Sequence, residues 1–177
     1  MSSRPTTQYT ILTIMSSYSP ILATLGFVLS PDRDQTLLVH RNARDDDQHL
    51  GKYNGLGGKM QAHEDVAGCM RREIREEAGI ECTEMTLRGT INWTNFGRAG
   101  EDWLGFIFLI SGFSGMPFAE NSEGTLSWQP VARLHTLPMW PGDRYFLPLV
   151  FDGKPGVFHG WMPYRDGNPV SWHFERF

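Results

Sequence analysis

A glycine-rich stretch that leads into an acidic helix constrains this chain more than any other feature. In Gly55-Leu-Gly-Gly-Lys59 the backbone can approach a ligand closely and present main-chain groups to it, because glycine has no Cβ. The residues behind this stretch predict a helix over Asp65–Ala78, and Gly79 is the residue expected to end it. We therefore expect a ligand site where the glycine-rich stretch meets this helix.

Three glutamates share one side of this predicted helix. Glu73, Glu76 and Glu77 are three and four residues apart, which places them on an arc of about 100°. An acidic face in contact with solvent is one interpretation. However, the glutamates lie beside an apolar stripe that includes Met70 and Ile74. Converging carboxylate oxygens suit Mg²⁺ or Mn²⁺, so the residues alone indicate a divalent-metal phosphate site.

The rest of the chain alternates short strands with turns, which indicates an α+β domain with a mixed sheet and few helices. A second helix is predicted over Asp143–Phe151, and residues 42–56 are predicted to form a polar connector. The predicted strands are Ile21–Leu29, Thr36–Arg41, Met85–Trp93, Trp103–Phe113 and Thr125–Val131, followed by a terminal hairpin of Gly156–Pro163 and Pro169–Phe177. The first two strands are expected to pair as a hairpin.

The first residues differ in character from the rest. We expect residues 1–19 to be a disordered or flexible leader, with Met15 as an alternative start, and residues 20–177 to be one domain. The apolar run from Tyr9 to Leu29 is interrupted by serines and Pro20, so it predicts no membrane span of about 20 residues. A signal peptide is the alternative, but only Arg4 precedes the run.

Charge and cysteine content exclude several partners. With 16 Lys and Arg against 20 Asp and Glu, the formal net charge is −4, which argues against duplex nucleic acid. Cys69 and Cys82 provide neither a disulfide framework nor a four-ligand zinc site. The small number of cysteines is typical of a cytoplasmic protein with reduced thiols. We further expect no membrane partner, and a monomer or a homodimer.

The spacing around the predicted helix resembles the Nudix box. Gly58 is followed after five residues by Glu64, and after seven more by Arg72-Glu-Ile-Arg-Glu-Glu-Ala-Gly-Ile80. This resemblance implies a Nudix-like α/β/α sandwich, in which the box helix packs on a mixed, curved sheet. It also implies Mg²⁺-dependent hydrolysis, with Mn²⁺ as an alternative metal, of a nucleoside diphosphate linked to another group.

The same resemblance implies roles for individual residues. Arg72 would orient the carboxylates through Glu64 and Glu73. The general base would be Glu76, Glu77 or a more distant acid, and the choice stays open. The implied metal ligands are the Gly57 carbonyl, Glu73, Glu76 and Glu77.

The flanking residues resemble the MutT-homologue branch, whose members degrade oxidised purine triphosphates. The matching segments are Lys52-Tyr-Asn-Gly-Leu-Gly-Gly-Lys59, Met139-Trp-Pro-Gly-Asp143 and Phe158-His-Gly160. The resemblance implies that Asn54 hydrogen-bonds the purine, Trp140 stacks on it and Asp143 reads its edge. Further candidates for the substrate pocket are Thr24, Lys59 and Trp93, and the resemblance to this branch adds Glu123 to the implied metal ligands.

The branch implies hydrolysis of 8-oxo-dGTP or a related nucleotide to a monophosphate and pyrophosphate, which cleans the nucleotide pool and so supports DNA repair. Relatives that accept several oxidised purines carry two adjacent aspartates where this chain has Gly142-Asp143, so their breadth is not expected here. The alternatives are a Nudix hydrolase of ordinary triphosphates or ADP-ribose, and a non-catalytic Nudix-fold binding module. The absence of proline in Thr94-Asn-Phe96 disfavours ADP-ribose, and the complete set of box glutamates disfavours the binding module.

Overall fold

The computed structural model describes residues 17–97 and 99–177, which form one mixed sheet with a helix on each side. The strands are β1 (Ile21–Leu29), β2 (Gln35–Arg41), β3 (Tyr53–Asn54), β4 (Glu81–Phe96), β5 (Glu101–Ser114), β6 (Gly124–Pro130), β7 (Phe158–Arg165), β8 (Asn168–Pro169) and β9 (His173–Arg176). The helices are α1 (Val66–Ala78) and α2 (Asp143–Phe151), with a 3₁₀ helix at Val131–Thr136. The leader predicted over residues 1–19 lies mostly outside the described residues.

The sheet mixes parallel and antiparallel neighbours, as the sequence predicts. The strand order is β3-β2-β1-β5-β4-β7-β8, with β6 on β2 and β9 on β7. The pairs β1–β5 and β4–β7 are parallel, and the other pairs are antiparallel. The expected hairpin of β1 and β2 pairs at Val28–Leu37 and Leu29–Thr36. Nearer the start of β1, the same edge of the strand pairs with the glycine-rich loop. Gly26 pairs with Leu56, and Ala23 pairs with Lys59.

Two apolar clusters fill the two sides of the sheet. Because successive residues of a strand point to opposite faces, Leu37 and Val39 belong to the α1 cluster and Leu38 belongs to the α2 cluster. Helix α1 buries one stripe against its cluster, and α2 does the same through Phe146 and Val150. The α/β/α sandwich with a curved, mixed sheet is confirmed. Among the described residues, neither helix is long and apolar enough to cross a membrane.

Irregular pairing explains where the predicted strand limits were wrong. Strand β4 extends beyond the predicted Met85–Trp93 at both ends, and its pairing with β5 shifts register at four places. Such shifts interrupt the regular in–out alternation, which hides the strand from a period-two pattern. The polar connector also contains β3, which pairs with β2 through only two residues.

The C-terminal hairpin is present, with its second arm divided. Its turn is Asp166-Gly167, and both residues have positive φ, of 50° and 74°, as a type I′ turn requires. Strand β8 pairs with the end of β7, and after residues 170–172 β9 pairs with the start of β7. Strand β7 thereby brings Tyr164 next to β4 and α2.

Candidate active site

The glycine-rich loop lies along β1 and is bonded to it at several points. The amide of Thr24 donates to the Gly58 carbonyl at 2.9 Å. Gly26 and Leu56 exchange two hydrogen bonds, of 2.6 and 2.9 Å, and the amide of Met60 donates to the Leu22 carbonyl at 2.9 Å. The loop is therefore an extra edge of the sheet rather than a free connection.

Two of the loop glycines have no room for a side chain. Gly57 has a φ of 150°, and a Cβ there would overlap the carbonyl of Thr24. A Cβ on Gly58 would lie 2.6 Å from Oε1 of Glu73. Glycine at 57 therefore lets the loop lie against β1, and glycine at 58 lets the loop backbone approach Glu73.

Helix α1 is capped at both ends and presents its acidic side to this loop. Asp65 caps the N-terminus by accepting from the Gly68 amide at 2.7 Å. Gly79 ends the helix in the left-handed conformation, with φ of 70°. The helix buries Cys69, Met70, Ile74 and Ala78. The sequence predicts a stripe of Ala67, Met70, Ile74 and Ala78, and all of these are buried except Ala67, which is half-buried.

Arg72 holds three carboxylates together. Its guanidinium donates to Glu64 at 2.7 and 2.9 Å, to Glu73 at 2.7 Å and to Glu76 at 3.1 Å. The hydrogen bonds from Arg72 lower the pKa of Glu64 to about 2. The contacts with Glu64 and Glu73 are those that the family resemblance implies, and Glu76 is an additional partner.

Glu77 lies deeper than the other box glutamates. Its Oε2 accepts from the Gly57 amide at 2.8 Å. Burial, followed by the negative charge of Glu123, raises the pKa of Glu77 to about 8. Burial also raises the pKa of Glu73, against the effect of Arg72. Around the C-terminal half of α1, the carboxylates therefore outnumber the positive charge that Arg72 supplies.

Glu123 comes from the turn before β6, far from α1 in sequence. The turn is tied to the helix because the Asn121 amide nitrogen donates to the Glu77 carbonyl at 3.1 Å. The Glu123 backbone in turn donates to Oδ1 of Asn121 at 2.8 Å. Arg41 forms an ion pair with Glu123, and Arg44 lies 3.8 Å from it.

The carboxylates border one depression of about 450 Å³, and its acidic lining consists of Glu73, Glu76, Glu77, Glu120 and Glu123. Within the described parts of the chain, no three His, Cys, Asp or Glu side chains already meet as a metal-binding group. The donors are nevertheless hard oxygens, and the mutual repulsion of Glu77 and Glu123 is what a divalent cation would offset. The chemistry of these residues fits Mg²⁺ or Mn²⁺. The assignment of individual ligands, including the Gly57 carbonyl, stays a prediction.

A cavity of about 490 Å³ adjoins this depression. It is lined by every residue predicted for the substrate pocket, namely Thr24, Asn54, Lys59, Trp93, Trp140 and Asp143. Gly57 and Glu123 also line it, and Glu123 borders the carboxylate depression as well. The structure thereby joins the predicted base pocket to the predicted metal site.

Trp140 is held in place from several sides. Its indole nitrogen donates to Nδ1 of His49 at 2.8 Å. The ring of Phe96 meets it edge-on at 5.1 Å between centroids. The Lys52 ammonium lies 4.8 Å from the centre of the indole ring. These contacts give the indole a defined orientation at the wall of the cavity.

Gly142 and Asp143 are close to the hydroxyl of Tyr164. A Cβ on Gly142 would overlap Oη of Tyr164, so the tyrosine occupies the space that an aspartate would need at that position. Burial raises the pKa of Asp143 to about 7, against the hydrogen bond from the Trp140 amide. Burial, and then the charge of Asp143, also raise the pKa of Tyr164, so the phenol stays protonated.

The other predicted pocket residues are partly engaged with protein groups. The Thr24 hydroxyl lies 3.4 Å from Sγ of Cys69. The Lys59 ammonium is 5.1 Å from the ring centre of Trp103. The ring of Trp93 covers Gly105, where a Cβ would overlap it. Thr24 and Trp93 therefore act mainly as walls of the cavity.

Sequence reasoning missed several residues that line the cavity, among them Arg41, His49, Phe96, Trp103 and Tyr164. His49 lies in the polar connector, where no periodic pattern marks a buried position. Phe96 lies beyond the predicted end of its strand. Arg41 was predicted only as the last residue of a strand, although a basic residue at a strand end near an acidic site is a usable signal.

Comparisons with known proteins agree with this geometry. The model of the NUDIX domain matches residues 20–150. The Nudix hydrolase YvcI of Bacillus subtilis is 32% identical over 139 residues, which cover 77% of this chain and 83% of that protein. The oxidized purine nucleoside triphosphate hydrolase of Mus musculus is 29% identical over 149 residues, covering 84% of this chain and 90% of that protein.

A solved structure shows the same architecture over most of the chain. The MutT protein from Bacillus halodurans superposes with a TM-score of 0.75 at 26% identity, covering 88% of this chain and 97% of that one. Together with the box geometry and the domain match, this likeness establishes that the chain belongs to the Nudix hydrolase family.

Proposed function

We propose that this chain is a nucleoside triphosphate pyrophosphatase that acts on oxidised purine nucleotides such as 8-oxo-dGTP. One observation carries the proposal: a single cavity extends from Asn54, Trp140 and Asp143 to Gly57 and Glu123 at the box. The name of the mouse relative is consistent with such a substrate. The expected role is sanitation of the cytoplasmic nucleotide pool.

The base side of the cavity would combine a tolerant contact with selective ones. Stacking of a base on an indole contributes about 1–3 kcal/mol and accepts many bases. Selectivity must therefore come from polar groups, and Asn54 and Asp143 supply them in this cavity. A buried polar group that an incorrect base leaves unpaired is costly, which is how such a site rejects analogues.

The phosphate side would lie at the box. Glu73, Glu76, Glu77, Glu123 and the Gly57 carbonyl would hold Mg²⁺ or Mn²⁺. When bound, the metal would neutralise phosphate charge and favour the nucleophilic form of water. Arg72 keeps Glu64, Glu73 and Glu76 aligned, and Glu76, Glu77 or a more distant acid would accept the proton of the attacking water. Water would replace pyrophosphate on the phosphorus that carries the nucleoside.

A substrate panel tests this proposal. The enzyme with Mg²⁺ is given 8-oxo-dGTP, dGTP, 2-hydroxy-dATP or CTP, and pyrophosphate is converted to phosphate and measured with malachite green. ADP-ribose is measured with added phosphatase. A strong preference for 8-oxo-dGTP is expected. Hydrolysis spread over ordinary triphosphates, or confined to ADP-ribose, would overturn the base assignment, and binding without any turnover would favour a binding module.

A further inference from the structure

His49 connects the two residues of the cavity that are expected to contact the base. Its Nδ1 lies 2.8 Å from Nε1 of Trp140 and 3.1 Å from Nδ2 of Asn54. An indole nitrogen can only donate, so Nδ1 must be an acceptor and the neutral ring must carry its proton on Nε2. The Gln48 amide nitrogen lies 3.2 Å from Nε2, so this tautomer requires the Gln48 amide to turn its oxygen toward the ring. His49 is part of the connector before β3, whose backbone is held where the His49 amide donates to Oδ1 of Asp47 at 2.9 Å.

The surroundings keep the imidazole neutral. Burial, followed by the positive charge of Arg41, lowers the pKa of His49 to about 4. Lys52 acts in the same direction, and only Asp47 opposes them. A protonated ring would also direct an N–H at the two donors. The acceptor state of Nδ1 is therefore the one that persists at neutral pH.

This state determines how the Asn54 amide is oriented. An acceptor at Nδ1 attracts the amide nitrogen, so Nδ2 faces His49 and Oδ1 faces away from it. Oδ1 is buried and has no hydrogen-bond partner among residues 17–97 and 99–177. One of the two N–H groups of Asn54 is therefore engaged with His49. Its oxygen is the buried acceptor that no described residue satisfies, and it is the atom that a ligand N–H would pair with.

We propose that His49 is a positioning residue that locks the Asn54 amide with its oxygen free, so that the site selects purines that present an N–H at this point. The inference rests on the proposed function. The 2-amino group of guanine and the N7–H of an 8-oxopurine are such donors. The C2–H of hypoxanthine is not a donor of this kind. An unoxidised purine has a lone pair at N7 in place of the N–H, and a lone pair directed at Oδ1 is repelled.

The test compares four substrates in which these two donors vary while N1–H is common to all: 8-oxo-dGTP, 8-oxo-dITP without the amino group, dGTP without N7–H, and dITP without either. The two oxidised substrates also carry a carbonyl at C8, so each effect of the amino group is read within a pair that has the same C8. Two variants are compared with the native enzyme. His49→Asn keeps an acceptor the same number of bonds from Cα as Nδ1, and His49→Leu removes it. The native enzyme should prefer 8-oxo-dGTP over dITP by about 10–100-fold in kcat/KM, mainly through KM.

The variants separate positioning from simple structural support. His49→Leu should reduce that preference to about threefold or less, whereas His49→Asn should retain most of it. Equal use of 8-oxo-dGTP and dITP by the native enzyme would overturn the proposal. An unchanged preference in a folded His49→Leu variant would do the same.

A second measurement on the native protein needs neither turnover nor a variant. Nitrogen-15 NMR of the imidazole should show Nδ1 unprotonated and Nε2 protonated, and a protonated Nδ1 would overturn the proposal. If no purine triphosphate is hydrolysed but the NMR result is as expected, the proposed function fails and the positioning role stands. If triphosphates are hydrolysed and Nδ1 is protonated, the positioning role fails and the proposed function stands.

Discussion

The two ends of the cavity are built in different ways. Most of the box end comes from one short stretch, residues 57–77, to which the turn before β6 adds Glu123, and its groups are joined by charge, with Arg72 bonded to three carboxylates. The base end is assembled from separate segments and is joined by ring contacts and by the hydrogen bonds of His49. This difference shows that a local segment can carry the chemistry, whereas selectivity depends on how distant segments pack.

The comparison leads to an expectation about kinetics. Carboxylates at the box act on charge that develops during the reaction, so changes there should lower kcat. Groups at the base end hold the bound substrate and the transition state alike, so changes there should raise KM. The predictions that follow are ordered from the largest expected effect to the smallest.

Glu77→Gln should lower kcat by at least about 100-fold, because it removes a charged oxygen from the proposed metal site. Steady-state kinetics with saturating Mg²⁺ measure this loss. Glu84→Gln is a matched control, since Glu84 is exposed on β4 and should leave kcat unchanged. A near-native kcat for Glu77→Gln would contradict the expectation that changes at the box end lower kcat.

Trp140→Ala should raise KM about tenfold and leave kcat within about twofold of native, since stacking is lost equally from ground and transition states. Trp161→Ala is the control, because that ring is 46% exposed and lies outside the cavity lining. A large fall in kcat with unchanged KM would show that Trp140 is not part of a base pocket.

Gly142→Ala should destabilise the fold by about 1–3 kcal/mol, because the new methyl group overlaps the Tyr164 hydroxyl. Combining it with Tyr164→Phe removes that oxygen and should restore part of the loss. Urea unfolding of both single variants and the double variant measures the coupling between the two sites. Strictly additive effects would contradict the contact.

Asp143→Asn should change how stability depends on pH. The folded pKa of Asp143, about 7, lies above the unfolded value near 4, so the native state binds the extra proton and stability falls as pH rises through this window. The neutral amide removes that loss, and Tm should rise by a few degrees relative to native at pH 8 but not at pH 4.

Asp152→Asn is the opposing control for this pH series. Although burial acts to raise its pKa, hydrogen bonds from Arg176 and the Lys154 amide lower it below the usual value. Its charge therefore stabilises the fold above pH 4, and that stabilisation is lost as the pH falls. Asp152→Asn should lower Tm at pH 8. A parallel response of the two variants would contradict the raised pKa of Asp143.

The same contrast explains what the sequence could predict. Helix α1, its end at Gly79 and its three glutamates follow from periodicity and spacing within one segment, although Asp65, predicted as the first residue of the helix, is its N-cap. Asn54, Trp140 and Asp143 came only from resemblance, because no local pattern distinguishes a pocket tryptophan from a core one. Tyr164 reaches Gly142 only through the parallel pairing of β4 and β7, a contact between distant segments that a linear pattern does not encode.

The bonds between the glycine-rich loop and β1 have a consequence for the length of a bound molecule. Thr24 lines the cavity from the strand side, and Gly57 lines it from the loop side, next to Glu77. Because backbone hydrogen bonds join this strand to this loop, the separation between Thr24 and the contact of Gly57 with Glu77 is set by the sheet. For the proposed substrate, the number of atoms between the base and each phosphorus would then decide which bond reaches the carboxylates.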